Sequence, residues 1–208
     1  MIRHRISWAA ILALLAAGCT TLQPPVSDDE LRLRQAWFES HPDWRVEGRL
    51  GLSDGKRGGS LGMIWEVDGS RQQLDLRTLS GGQQWRLRIT PAGAELEGSD
   101  IDHRVGPDPD VLVAEAVGWP IPVRYMADWL RGLPAPRDAS LRFDEHGRLA
   151  GLSWNGWEID YRGWSALDAD VALPTRIDAV RGEYRVRLVL RGWRFDKARD
   201  RSAATPDA

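Results

Sequence analysis

From residue 44 onward, apolar side chains recur at every second position, segment after segment, and that period of two is what a half-buried β-strand imposes. Trp44, Val46, Leu50 and Leu52 share one parity, while Arg45, Glu47 and Arg49 take the other. Leu61, Met63, Trp65 and Val67 form a second row, and Leu74 and Leu76 a third against Gln73, Asp75 and Arg77. Trp85, Leu87 and Ile89 alternate with Arg86 and Arg88, and Ala94 and Leu96 with Glu95 and Glu97. Turn formers separate the rows: Asp54-Gly55, Asp68-Gly69, Ser80-Gly81-Gly82 and Pro91-Ala92-Gly93. The pattern predicts an antiparallel meander with one apolar and one charged face.

The middle of the chain breaks this period. Pro107-Asp108-Pro109-Asp110 precedes Val111, Leu112, Ala114, Ala116 and Val117, which predicts a short helix with acidic residues at its start. After Gly118-Trp119-Pro120-Ile121-Pro122, a second helix places Met126, Trp129, Leu130 and Leu133 at helical spacing and stops before Pro134. A third short helix is expected over 30–40, with Ser27 and Glu30 as its capping box. Alternation resumes at Leu141. Trp154-Asn155-Gly156-Trp157 predicts a type I′ hairpin, and Trp157, Ile159 and Tyr161 share a face. In the last strand Tyr184, Val186, Leu188 and Leu190 agree in parity, but Trp193 and Phe195 take the opposite one across Gly192. That slip predicts a bulge there.

About ten or eleven one-faced strands and two short central helices must cover a large apolar surface. Helices ~15 Å long cannot roof such a sheet laid flat. The expected fold is therefore mainly β: a strongly curved antiparallel sheet, an unclosed half-barrel, with an α-helical lid over its mouth. The concave face would be lined by Met63, Trp65, Leu76, Trp85, Leu87, Ile159, Tyr161, Val186 and Leu188, and the lid would contribute Ile121, Met126, Trp129 and Leu130. Such a lining either packs solid or holds an apolar ligand. The eleven tryptophans, beside three phenylalanines and three tyrosines, suit a core, a cavity wall or a membrane interface.

The first twenty residues point to export. A basic start (Met1-Ile-Arg-His-Arg) leads into an apolar run too short to span a bilayer, which takes ~20 residues, and then Gly18-Cys19. Residues 1–18 read as a signal peptide and Cys19, the one cysteine, as a lipidation site similar to the lipobox of bacterial lipoproteins, with Ala16 where leucine is preferred. Thr20, not aspartate, follows Cys19, which by that resemblance implies the outer membrane. Residues 19–30 read as a tether, 31–196 as the folded domain and 197–208 as a disordered tail.

Other classes find little support. A net charge of −2 gives no footprint for nucleic acid. No Gly-x-Ser-x-Gly elbow or phosphate loop is present, so no catalytic residue and no cofactor are assigned. His41, His103 and His146 are too scattered for a metal site. Arg86, Arg88, Arg185 and Arg187 lie on the polar face, where solvated surface is the commoner role and docking of an acidic carrier the alternative.

The segment Gly118-Trp-Pro-Ile-Pro-Val-Arg-Tyr-Met-Ala-Asp-Trp-Leu-Arg-Gly-Leu-Pro134 closely resembles the corresponding motif of the LolB family of outer-membrane lipoprotein receptors. Trp44-Arg-Val-Glu-Gly-Arg-Leu resembles that family's first strand, and Leu173-Pro174 through Gly192-Trp193 its C-terminal part. The resemblance implies a monomer whose cavity takes the acyl chains of lipoprotein cargo from a LolA-like periplasmic carrier and passes them into outer-membrane lipid, without nucleotide. It also implies a protruding loop needed for release. Leu79, Ser80 and Gly81 match it, with Leu79 as the apolar tip. Thr78 stands where the family often has proline, so a less rigid loop is expected. Parity with Gln73, Asp75 and Arg77 aims Leu79 at solvent; a turn leucine folded back on the hairpin is the alternative. A lipid-binding sensory or storage lipoprotein of the same fold would carry the same features without transferring cargo.

Overall fold

The structure, a computed structural model, describes residues 28–145, 147–168 and 171–195. The signal peptide, Cys19, residues 20–27, His146 and the tail 197–208 lie outside the described residues. Helix α1 (Asp28–Ser40) begins two residues before the expected 30 and leads into strands β1 (Trp44–Ser53), β2 (Gly58–Asp68), β3 (Arg71–Thr78), β4 (Gln84–Thr90), β5 (Gly93–Gly98) and β6 (Ile101–Gly106). Helices α2 (Pro109–Val117) and α3 (Val123–Leu130) follow, and then β7 (Ser140–Phe143), β8 (Leu149–Trp154), β9 (Trp157–Ala166), β10 (Ala172–Arg181) and β11 (Tyr184–Phe195).

All strands form one antiparallel sheet in the order β6-β5-β4-β3-β2-β1-β11-β10-β9-β8-β7. The outer strands β6 and β7 are not paired with each other, so the sheet is not closed into a barrel. The chain between those edges is the lid, α2 and α3. Its ends obey local chemistry: the Asp108 carboxylate accepts from the Asp110 and Val111 N–H groups at the start of α2, and Gly118 closes that helix at φ +84°.

Two irregularities fall where the sequence puts them. Glu47 pairs with Arg191 and Arg45 with Arg194, so Gly192 and Trp193 together oppose Val46, and Gly192 sits at φ +61°. Asn155 and Gly156 both have positive φ between paired Trp154 and Trp157, as a type I′ hairpin requires. Past the bulge, Trp193 and Phe195 stack on each other and meet Phe38, Trp37 and Trp44. This aromatic cluster seats α1 at the end of the sheet where β1 begins.

The same helix is latched by Arg34, whose side chain is 1 % exposed. Its guanidinium donates to the Ala172 carbonyl (3.0 Å), the Gly132 carbonyl (3.0 Å) and Glu30 Oε1 (2.6 Å), and lies over the Trp164 ring at 4.4 Å. Burial pushes the Glu30 carboxyl up and the Arg34 guanidinium down, so their attraction does not recover the full cost of leaving water.

Candidate functional site

A cavity of about 280 Å³ lies between the concave face and the lid. The sheet supplies Leu50, Leu52, Leu61, Leu74, Leu76, Trp85, Leu87, Leu96, Asp100 and Ile101; the lid supplies Val113, Ala116, Val117, Ile121, Val123 and Met126. Asp100 is the single charged group in that lining, and its carboxylate accepts from Trp85 Nε1 at 2.7 Å. Nothing in the wall offers a nucleophile, and among the described residues no group of three His, Cys, Asp or Glu side chains could hold a metal. Such a surface suits an apolar ligand such as hydrocarbon.

Of the residues expected to line the interior, Leu76, Trp85 and Leu87 border this cavity, as do Ile121 and Met126 from the lid. Met63, Trp65, Ile159, Tyr161, Val186 and Leu188 point inward but do not border it; all are buried in the packed core together with Trp129 and Leu130. The interior is thus divided. Beneath β8 to β11 large side chains fill it, Trp129 and Trp157 among them, each 1 % exposed. The space remains beneath β1 to β5, where leucines dominate the wall. Tyr161 carries a cost of this packing: its hydroxyl is buried without a hydrogen-bond partner, and burial pushes its pKa up.

Larger hollows exist but suit other chemistry. One of about 590 Å³ on the convex face is lined by Glu47, Asp75, Arg77, Arg86 and Glu97; one of about 880 Å³ between α1, α3 and β7 carries Glu39, Asp128, Arg131 and Arg137. Covering these charged walls with an acyl chain would take their charges out of water at a cost, so volume alone does not mark the site.

Arg124 holds the lid together. Its guanidinium pairs with Asp108 and with Asp110 (2.9 Å), and its backbone N–H donates to Asp110 Oδ1 at 3.0 Å, joining the start of α3 to the start of α2. The hydrogen bond from Arg124 holds the Asp108 carboxyl below its ordinary value. Asp110 shifts the other way because burial outweighs the same partner.

The loop between β3 and β4 stands at the end of the sheet where β1 finishes and β2 begins, the end toward which Leu52 and Leu61 of the cavity wall also lie. Leu79 at its tip is 61 % exposed. A Cβ added at Gly81 or Gly82 would meet nothing within 4 Å, so the loop stands clear of its surroundings. Its base is pinned rather than loose. The Thr78 hydroxyl accepts from the Gln83 N–H (3.1 Å) and the Ser80 hydroxyl (3.2 Å), and the Thr78 N–H donates to the Gln83 carbonyl (2.9 Å). Thr78 thus ties the two ends of the loop together through hydrogen bonds.

Comparison with known proteins gives this geometry a context. The sequence model of the family described as Outer membrane lipoprotein LolB matches residues 42–193. An outer-membrane lipoprotein LolB of Alkalilimnicola ehrlichii is 39 % identical over 197 residues, covering 93 % of this chain and 98 % of that protein. The protein of the same name from Xanthomonas campestris pv. campestris is 39 % identical over 165 residues, covering 77 % of this chain and 76 % of its own. Among solved structures, a DUF1329-family protein of Desulfovibrio piger superposes with a TM-score of 0.50 at 8 % identity, over 80 % of this chain and 91 % of that one, a likeness of fold alone. The chain belongs to the LolB family of outer-membrane lipoproteins.

Proposed function

We propose that this protein receives lipoproteins from a soluble LolA-type carrier by taking their acyl chains beneath the α2–α3 lid, and then delivers them into the outer membrane. Cys19 carries the anchoring lipid after residues 1–18 are removed, residues 20–27 serve as tether, and the protein works as a monomer on the periplasmic face. The observation that carries this reading is an almost wholly apolar cavity beneath the lid, with Leu52 and Leu61 of its wall at the end of the sheet where Leu79 is exposed.

Burying a methylene contributes ~0.8 kcal/mol, so a sixteen-carbon chain is worth ~12 kcal/mol when fully buried and does not cross water unaided at useful rates. An apolar host must therefore meet each chain. The resting cavity of about 280 Å³ lies at the small end of ligand pockets, which run ~300–1,000 Å³. Admitting more than one chain requires the lid to move outward. Hand-over is downhill by differential affinity, with no covalent step. Mixing loaded carrier with this protein in the absence of nucleotide tests the reading: cargo should change hosts, and cargo that stays on the carrier would overturn it. A storage or sensory lipoprotein predicts instead that depletion leaves other lipoproteins correctly sorted.

A further inference from the structure

Most arginines of the convex face are neutralised in place. Arg86 reaches Asp75 at 2.6 Å, Arg88 reaches Glu97 at 3.0 Å, Arg187 reaches Asp178 at 2.6 Å, and Arg142 and Arg162 share Asp160. Toward the Leu79 end this pairing stops. Arg49, Lys56, Arg77 and Arg185 are exposed, and among the described residues none has a carboxylate within 4 Å. Arg57 reaches Asp54 only at 3.5 Å with 90 % of its side chain exposed.

By register these five cations fall into two groups on one face, with Gly51 and its partner Arg187, which is paired with Asp178, between them. Arg49 and Arg77 lie on either side of Gly62, each paired with it across adjacent strands, so no side chain separates them. Arg185 pairs with Ser53 at the end of β1, and Lys56 and Arg57 form the β1–β2 turn that follows. The acidic residues of these turns are Asp54 and Glu183. Asp54 is occupied, accepting from the Lys56 and Arg57 N–H groups at 2.9 and 2.6 Å, which holds its carboxyl below the ordinary value. A chain with net charge −2 thus gathers a local excess of positive charge beside its projecting apolar loop.

We propose that Arg49, Lys56, Arg57, Arg77 and Arg185 form a cationic collar that docks this end of the protein on an anionic phospholipid surface, with Leu79 as the tip that enters it. The inference rests on the reading above, in which this end meets the membrane. A fluid interface accepts an apolar wedge at any lateral position, whereas an acidic protein partner would need a socket matched to the exposed Leu79. Long, exposed cations, four of them without a carboxylate partner among the described residues, suit mobile headgroups, whose attraction falls off within a Debye length.

The test is co-sedimentation of the chain from Thr20 onward, without the signal segment and the lipid-bearing cysteine, with vesicles of phosphatidylcholine alone or with about one third phosphatidylglycerol. Anionic vesicles should bind it more tightly, and the preference should vanish between about 0.05 and about 0.5 M salt. Lys56→Gln/Arg77→Gln/Arg185→Gln should weaken anionic binding at least about tenfold at low salt. Arg71→Gln/Arg191→Gln, unpaired cations outside the collar, should leave it unchanged. Equal binding to both vesicles, or a triple variant that binds like the parent, overturns the collar; a triple variant impaired only in accepting cargo would assign the surface to the carrier and overturn it equally. The two readings fail separately. Normal collar behaviour with normal release by Leu79→Glu sinks the release role of the loop, while intact binding by the triple variant with failed release by Leu79→Glu sinks only the collar.

Discussion

Trp85 and Gly98 face each other across β4 and β5, and the indole lies directly over the bare Cα of the glycine. A Cβ at position 98 would overlap Trp85 Cδ1 and crowd Nε1, the atom that donates to Asp100. Gly98 therefore keeps a large aromatic flat against the rim of the cavity. Gly98→Ala should swing the indole away and cost ~1–3 kcal/mol, the usual range for overpacking. Denaturant midpoints would show the loss, and an apolar fluorescent probe titrated into the cavity would bind differently; unchanged probe binding would mean that Trp85 does not shape the site.

Arg34 is the second test. Arg34→Met keeps the stem but takes the donor from the buried Gly132 carbonyl and from the part-buried Ala172 carbonyl and Glu30 carboxylate. A loss of ~2–4 kcal/mol is expected. Burial already raises the Glu30 carboxyl above its ordinary 4.5, and removing the cation raises it further. The charged form is then the costly one, so the deficit of the variant should grow as pH rises through the window above 4.5 and shrink in acid. Chemical denaturation at several pH values measures both effects.

Asp108 makes the opposite pH prediction. Its carboxyl is held below the ordinary 3.8, first by the Arg124 hydrogen bond, so its contribution to the lid is complete above that value and is lost as pH falls through the lower, folded-state value. Amide exchange in α2 should accelerate in that acidic window. Asp108→Asn, which keeps an acceptor for the helix start but cannot titrate, should abolish the acid dependence while loosening the lid at neutral pH through the lost ion pair. An unchanged acid response in the variant would assign it to another group, Asp110 being the nearest.

Leu79→Glu separates receipt from release. Leu79 does not border the cavity, so transfer of cargo from the carrier should proceed at the parent rate. Incorporation into vesicles should fall at least about tenfold, because a carboxylate resists entering hydrocarbon by ~2 kcal/mol or more. Leu79→Met should restore it. Uptake that fails in Leu79→Glu would place the loop at the carrier contact instead.

How much of this was legible in the sequence depended on whether a residue's environment was set by its neighbours in the chain. The rows from Trp44 to Leu96 announced themselves because each strand has one buried face, Asn155-Gly156 because a type I′ turn needs positive φ, and Gly192 because the apolar parity slips across it. Strand β6 gave no such signal: Asp102, His103, Arg104 and Val105 are all exposed on an edge strand, so no alternation is imposed. Arg34 gave none either, since an arginine in a polar helix reads as solvent-facing until the Gly132 and Ala172 carbonyls, distant in sequence, fold over it. The division of the interior was equally hidden. Leu76 and Leu188 share the same periodicity, yet only Leu76 borders open space, because what fills the other half arrives from α3. The convex arginines were readable as a class but not one by one; their carboxylate partners decide which are spent and which are free.

The missing bond ladder between β6 and β7 has a mechanical meaning. A closed barrel has a circumference fixed by its strand count, whereas here the two margins are joined only through α2, α3 and their connections. The wall can therefore flex about the seam without breaking a single inter-strand hydrogen bond, and its capacity becomes elastic. Any widening of the wall at this seam is then resisted by two short helices and their connections rather than by a strand ladder.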